Sequence, residues 1–225
     1  MAAREAGRRS WRLPRPACRC ELKVCVTALE STLRQICAAL TDANVSFALV
    51  GGLAVSALTE PRFTRDADIV VSVRSDAEAE ALIRDLRLRG YRIEALVEQE
   101  AVGRLATVRL VRSSEAADPV TDLLFASSGI EPEIVAKAED IELMPGLRIR
   151  VASVAHLIAL KVLARDDVNR PQDIGDLRAL LRSATSSDLT GVRDALRLIA
   201  QRGYHRGRDL ELELDRLLSQ QRPSR

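Results

Sequence analysis

The sequence predicts an α/β (α+β) protein, with a small mixed-sheet core followed by a C-terminal helical bundle. Three observations carry that expectation. From Phe47 to Val73 the chain reads FALVGGLAVSALTEPRFTRDADIVVSV: an apolar run, two glycines, a second apolar run, a polar loop and a third apolar run. Between Tyr91 and Arg112 two segments flank a glycine-containing turn in the manner of a hairpin. From Ser153 to the end, apolar residues recur at helical spacing.

Composition bounds the classes. A chain of 225 residues holds one large domain or two small ones. Aromatic residues make up only 3%, which argues against stacking as a way of gripping single-stranded nucleic acid. Lysine stands only at positions 23, 137 and 161, so arginine supplies nearly all the positive charge. Arginine abundance by itself therefore says little about partners. The net charge of +2 is unevenly spread, with six arginines and one glutamate in residues 1–20. The expected organisation is a basic, disordered leader over 1–25, an α/β core over 26–150 and a helical domain over 151–225. Glu21 and Lys23 interrupt any signal-peptide core, and no apolar run is long enough to span a bilayer. A cytoplasmic protein is expected. Cys18, Cys20, Cys25 and Cys37 match no common zinc spacing and are expected to be free thiols.

The elements follow in order. Leu29, Leu33, Ile36, Cys37 and Leu40 mark a helix over Thr27–Leu40. Val45–Val50 is a buried strand, Gly51–Gly52 a turn, Leu53–Leu58 a short helix, and a second strand opens with Asp66 and Asp68. Ser75 or Asp76 caps a helix that Gly90 stops. Tyr91–Gln99 and Arg104–Arg112 form the hairpin, turning near Val102–Gly103. Val120–Ala126 is a further strand; Ile134–Glu139 is read as a short helix and Leu147–Val151 as a strand. Helices are expected over 153–166, 171–183, 187–201 and 208–219, with Pro171 in a first turn.

The chemistry concentrates in a few groups. Residues two apart on a strand share a face, so Asp66 and Asp68 project together at the mouth of an apolar strand. Like charges held close need a cation, either a divalent metal or a neighbouring arginine such as Arg62 or Arg65. Asp122 puts a third carboxylate among apolar residues in VTDLLF. Three carboxylates are the oxygen-rich donor set that magnesium takes, with substrate phosphates filling its remaining positions. Backbone N–H groups after Gly51–Gly52 suit an anion, although the chain has no Walker loop there. Lys161, in HLIALKVLA, either snorkels from an apolar face or reaches a triphosphate. Arg170, Asp173 and Asp176 in NRPQDIGDLRAL also suit ordinary helix-start chemistry.

GGLAVSALTEPRFTRDADIVV, the later aspartate in TDLLF, and ALKVLARDDVNRPQDIGDLRAL together resemble AbiEii-type nucleotidyltransferases. These are toxins of toxin–antitoxin and abortive-infection systems within the DNA polymerase beta-like nucleotidyltransferase superfamily. The resemblance covers about residues 45–185. It implies transfer of a nucleoside monophosphate from an NTP to a tRNA or protein hydroxyl, with magnesium or manganese as cofactor and a cognate antitoxin as partner. It implies that Gly51 and Gly52 meet the nucleotide phosphates, and that Asp66, Asp68 and Asp122 hold metal, Asp122 lying near the attacking hydroxyl. Lys161 would bind phosphate, Asp173 would support it or orient the nucleotide, and Arg62, Thr64 and Arg170 would join the nucleotide-binding set. The family often has Gly-Ser where this chain has Gly51–Gly52, so one hydroxyl contact is lost. Two other readings stay open: a small-molecule, antibiotic-type nucleotidyltransferase, and a non-catalytic module whose acids are structural.

Overall fold

The computed structural model describes residues 19–99, 102–112, 119–166 and 171–221. Eight helices and seven strands alternate along them. The first half runs α1 (Arg19–Asp42), β1 (Ser46–Val50), α2 (Gly51–Leu58), β2 (Ala67–Ser72), α3 (Asp76–Leu88), β3 (Arg92–Gln99), β4 (Arg104–Val111) and β5 (Thr121–Leu124). Then come α4 (Glu131–Ala136), β6 (Glu139–Met144), β7 (Leu147–Val151), α5 (Val154–Ala164), α6 (Pro171–Ser183), α7 (Ser186–Gln201) and α8 (Leu210–Gln221).

The strands form one mixed sheet in the order β3-β4-β5-β2-β1-β7-β6. β1 and β2 are antiparallel, β2 and β5 parallel, and β5 and β4 antiparallel. Register makes one row across four strands: Val50 opposite Asp68, Asp68 opposite Asp122, and Asp122 opposite Arg109. That row holds three charged residues at the centre of the sheet.

Alternation explains how a charged row survives there. In β5, Thr121 and Leu123 are buried while Asp122 and Leu124 are only partly so. In β4, Ala106, Val108 and Leu110 face the core and Arg109 faces away from it. The core joins Leu49, Ile69 and Leu123 of the sheet to Leu157 and Ile158 of α5 and Leu196 of α7. Each such side chain contributes about 1.5–3 kcal/mol by leaving water. One apolar cluster therefore runs through the sheet and the C-terminal helices, and α2 packs against α5 and α6.

Several elements depart from expectation. α1 starts at Arg19, inside the stretch read as leader, while residues 1–18 lie outside the described residues. α2 begins at Gly51, so both glycines are its first helical residues and not a separate turn. Glu139 opens β6 instead of closing a helix, because Pro132 sets α4 earlier and Lys137 caps it. Ser75 is the N-cap of α3, its hydroxyl accepting from the Glu78 N–H.

Candidate active site

β1 feeds directly into α2, and the Val50 side chain caps none of the first N–H groups of α2. Gly51 has φ +64°, a left-handed conformation that favours glycine. A β-carbon on Gly51 would stand 1.9 Å from Asp68 Oδ2, so the Asp68 carboxylate rests on this backbone. A β-carbon on Gly52 would stand 2.6 Å from Arg62 Nη2 and 3.0 Å from Thr64 Oγ1. Where a serine side chain would sit, this chain places the Arg62 and Thr64 side chains.

A cavity of about 280 Å³ opens over this turn. Gly51, Gly52, Arg62, Thr64, Asp66, Asp68, Asp122, Lys161 and Asp173 all line it. Every candidate from the sequence is thus in one place except Arg170, which lies outside the described residues. Arg109, Gln172 and Arg206 line the cavity too and were not anticipated. Arg206 reaches it from the loop between α7 and α8, at φ +54°. Such backbone in a non-glycine residue is uncommon and recurs at functional sites.

The aspartates have two kinds of neighbour. Arg62 binds Asp176 through two hydrogen bonds of 2.7 and 2.8 Å, and Arg65 lies over the Phe63 ring. Asp122 accepts two hydrogen bonds from Arg109, at 2.9 and 2.8 Å. That hydrogen bonding holds the Arg109 guanidinium more firmly protonated than usual against the opposing effect of burial, and the charges of Asp122, Asp66 and Glu94 add to it. Among the described residues, no three Asp, Glu, His or Cys side chains cluster closely enough to share an ion. Asp122 therefore enters the site paired with Arg109, in the same cavity lining as Asp66 and Asp68.

Lys161 is buried and its ammonium lies 2.5 Å from Asp173 and 2.8 Å from Asp176. With Arg62 on Asp176, two cations and two carboxylates form one network. Burial alone would raise the Asp176 carboxyl pKa, and hydrogen bonds from Arg62 and Lys161 outweigh it and hold it low. Asp173 and Asp176 are thus tertiary partners of Lys161, beyond any helix-start role. The network ties α6, α5 and the loop before β2 together at the cavity wall.

A profile of the AbiEii nucleotidyl transferase toxin family of type IV toxin–antitoxin systems matches residues 33–224. The chain belongs to the AbiEii nucleotidyltransferase family. Among solved structures, the antibiotic-resistance factor ANT(2'')-Ia in solution is similar over 82% of this chain and all of its own, with 20% identity and a TM-score of 0.52. An antigenic nucleotidyltransferase-like protein from Paracoccidioides brasiliensis is similar over 84% of this chain and 93% of its own, with 19% identity and a TM-score of 0.49. No curated protein matches the sequence. The AbiEii family assignment makes the chain a nucleotidyltransferase, and the likeness to ANT(2'')-Ia concerns the fold.

Proposed function

We propose that this AbiEii-family enzyme transfers a nucleoside monophosphate from an NTP to a hydroxyl of tRNA or protein, using magnesium or manganese. One observation carries the reading: the Asp66–Asp68 pair and the uncapped start of α2 face the same cavity. Carboxylates there suit a hard cation, and N–H groups at a helix start suit phosphate.

The residues fit such an ion by the chemistry of their donors. Asp66 and Asp68 offer only oxygen ligands, and the Gly51 backbone leaves room for the Asp68 carboxylate where any β-carbon would block it. Magnesium is commonly held by one or two carboxylates plus substrate phosphates. When bound, the ion would neutralise charge on the triphosphate.

The chain's own groups do the rest. The N–H groups at the start of α2 bind phosphate, and Thr64 adds a hydroxyl beside them. The acceptor oxygen attacks the α-phosphorus, the bond to the β-phosphate breaks, and pyrophosphate leaves. Asp122 accepts the hydroxyl proton on a lone pair that Arg109 does not occupy. Lys161, held by Asp173 and Asp176, fixes the wall against which the phosphates lie. Arg62, Arg109 and Arg206 line the cavity beside its aspartates, a charged lining that suits a polar acceptor better than an apolar one. The family's toxin description supports a toxin role with a cognate antitoxin. No described helix is long and apolar enough to cross a membrane, and we place the enzyme in the cytoplasm with its NTP.

The test is direct. Each labelled NTP is incubated with magnesium and the protein, with total tRNA, whole-cell protein or a panel of small hydroxylated compounds as acceptor. Label should pass to one macromolecular class and disappear in the Asp66→Ala/Asp68→Ala protein. Transfer only to small compounds would select the antibiotic-type reading. Transfer that persists in the double variant would remove the site.

A further inference from the structure

We propose that Arg206 binds the outer phosphates of the NTP, delivered to the cavity by a loop of the helical half. The inference rests on the nucleotidyl transfer proposed above and deepens it.

The loop between α7 and α8 is clamped on either side of Arg206. Arg202 donates to the Gly129 carbonyl and to both oxygens of the Glu133 carboxylate. Tyr204 is buried, and its ring packs on Gly129, where a β-carbon would stand 2.4 Å from Cδ2. On the other side, Arg208 donates to the carbonyls of Val162 and Leu163, at 3.2 and 2.9 Å, and pairs with Glu213. The first two residues are thus tied to the turn after β5, and Arg208 is tied to the last turn of α5.

Arg206 stands between these anchors. It is exposed, and it lines the cavity together with Lys161 and Ala164 of α5. Its φ of +54° is a conformation that a residue with a β-carbon adopts at a cost. Glycine would remove that cost, and an exposed side chain gains no core packing to offset it. Backbone held in this way points to a use for the side chain.

The chemistry of that use is phosphate binding. Arg208 fixes the loop to the turn of α5 that carries Lys161, so Arg206 enters the cavity beside that turn. The start of α2 takes phosphate in the reading above, and α2 packs against α5. A triphosphate seated there lies against the α5 wall, where Arg206 enters. Lys161 is buried and fixed between Asp173 and Asp176, whereas Arg206 is exposed on a long arm. Its planar fork matches phosphate oxygens and stays charged across the working pH range.

A nucleotide series tests this. Dissociation constants are measured by calorimetry, with magnesium, for a non-hydrolysable α,β-methylene NTP of each base and, by competition, for the matching NMP. Arg206→Gly should weaken the NTP analogue about tenfold to a hundredfold, the effect of a lost charge-assisted hydrogen bond. NMP binding should not change, and the thermal melt should stay at the wild-type value or rise. Arg206→Lys should recover part of the affinity. Arg206→Asn, which also tolerates left-handed backbone, replaces the glycine protein should that fail to fold. In steady-state transfer, KM for the NTP should rise while KM for the acceptor holds. Equal weakening of NTP and NMP, or a rise confined to the acceptor KM, overturns the assignment. Unchanged NTP affinity in a folded variant overturns it and leaves the transfer reading standing. A wild-type protein that binds the NTP analogue no more tightly than NMP removes both.

Discussion

The Asp68 carboxylate lies against the backbone of Gly51, where a methyl group would come within 1.9 Å of its oxygen. Gly51 also holds φ +64°. Gly51→Ala therefore carries left-handed strain of about 1–2 kcal/mol and moves a site carboxylate. A shift of about 1 Å at such a group can cost on the order of 100-fold in rate. Transfer should fall by at least that much, while the thermal melt drops only modestly. Gly90→Ala is the control: its φ is +92° and nothing lies within 4 Å of the new carbon, so it should lose stability and keep activity.

The Lys161 network predicts strong coupling. Lys161→Met takes a buried ammonium away from Asp173 and Asp176, which are 1% and 3% exposed. Breaking a buried pair from one side costs about 3–5 kcal/mol. Lys161→Met/Asp173→Leu removes the stranded carboxylate as well and should recover a large part of that loss. Urea denaturation of wild type, both single variants and the double variant measures the interaction. Additive losses would show that the pair is not energetically closed. Activity should stay low in both proteins that lack Lys161.

Legibility in the sequence followed distance along the chain. Gly51, Gly52, Asp66 and Asp68 lie on one strand–helix–strand unit, so alternation and glycine content were enough to group them. Arg109 was invisible because its meaning depends on the register of β4 against β5. A charged residue in VRLV, on a strand neighbouring one with an opposite charge, was the available signal. Asp173 and Asp176 were read through local helix chemistry, which they satisfy equally well. Only the approach of Lys161 to both, and of Arg62 to Asp176 from more than a hundred residues earlier, shows the second use. β6 escaped for a different reason: EDIELM has no fully buried position, so it shows no clear apolar face.

Cys37 should behave as an inert thiol. Burial pushes its pKa up from 9.0 to about 12. The native state then holds the thiol proton more tightly than the unfolded chain does. Its stabilising effect is full below about pH 9 and is lost as pH rises towards 12. In a protein with Cys18, Cys20 and Cys25 changed to serine, a disulfide reagent at pH 8 should react with Cys37 only after denaturant is added. Labelling as fast as that of a free peptide thiol would contradict the burial.

His156 sets an acid limit on the fold. The side chain is 5% exposed and its Nδ1 lies 2.9 Å from the Ser153 hydroxyl, at the start of α5. Its pKa falls from 6.5 to about 4, chiefly through burial and in part through the Lys137 charge, with Glu133 opposing. The unfolded chain therefore binds a proton that the native state refuses. Stability is full above about pH 6.5 and declines as pH falls towards 4, by up to about 3 kcal/mol for a shift of this size. Glu133, held low by its hydrogen bonds from Arg202, loses stability in the same direction but mainly below its ordinary value of 4.5. The comparison of interest is thus between pH 7 and 5. Urea midpoints of wild type should fall across that interval, and those of His156→Gln, which cannot take up the proton, should stay nearly level. Parallel curves for the two proteins would show that His156 is not the group being titrated.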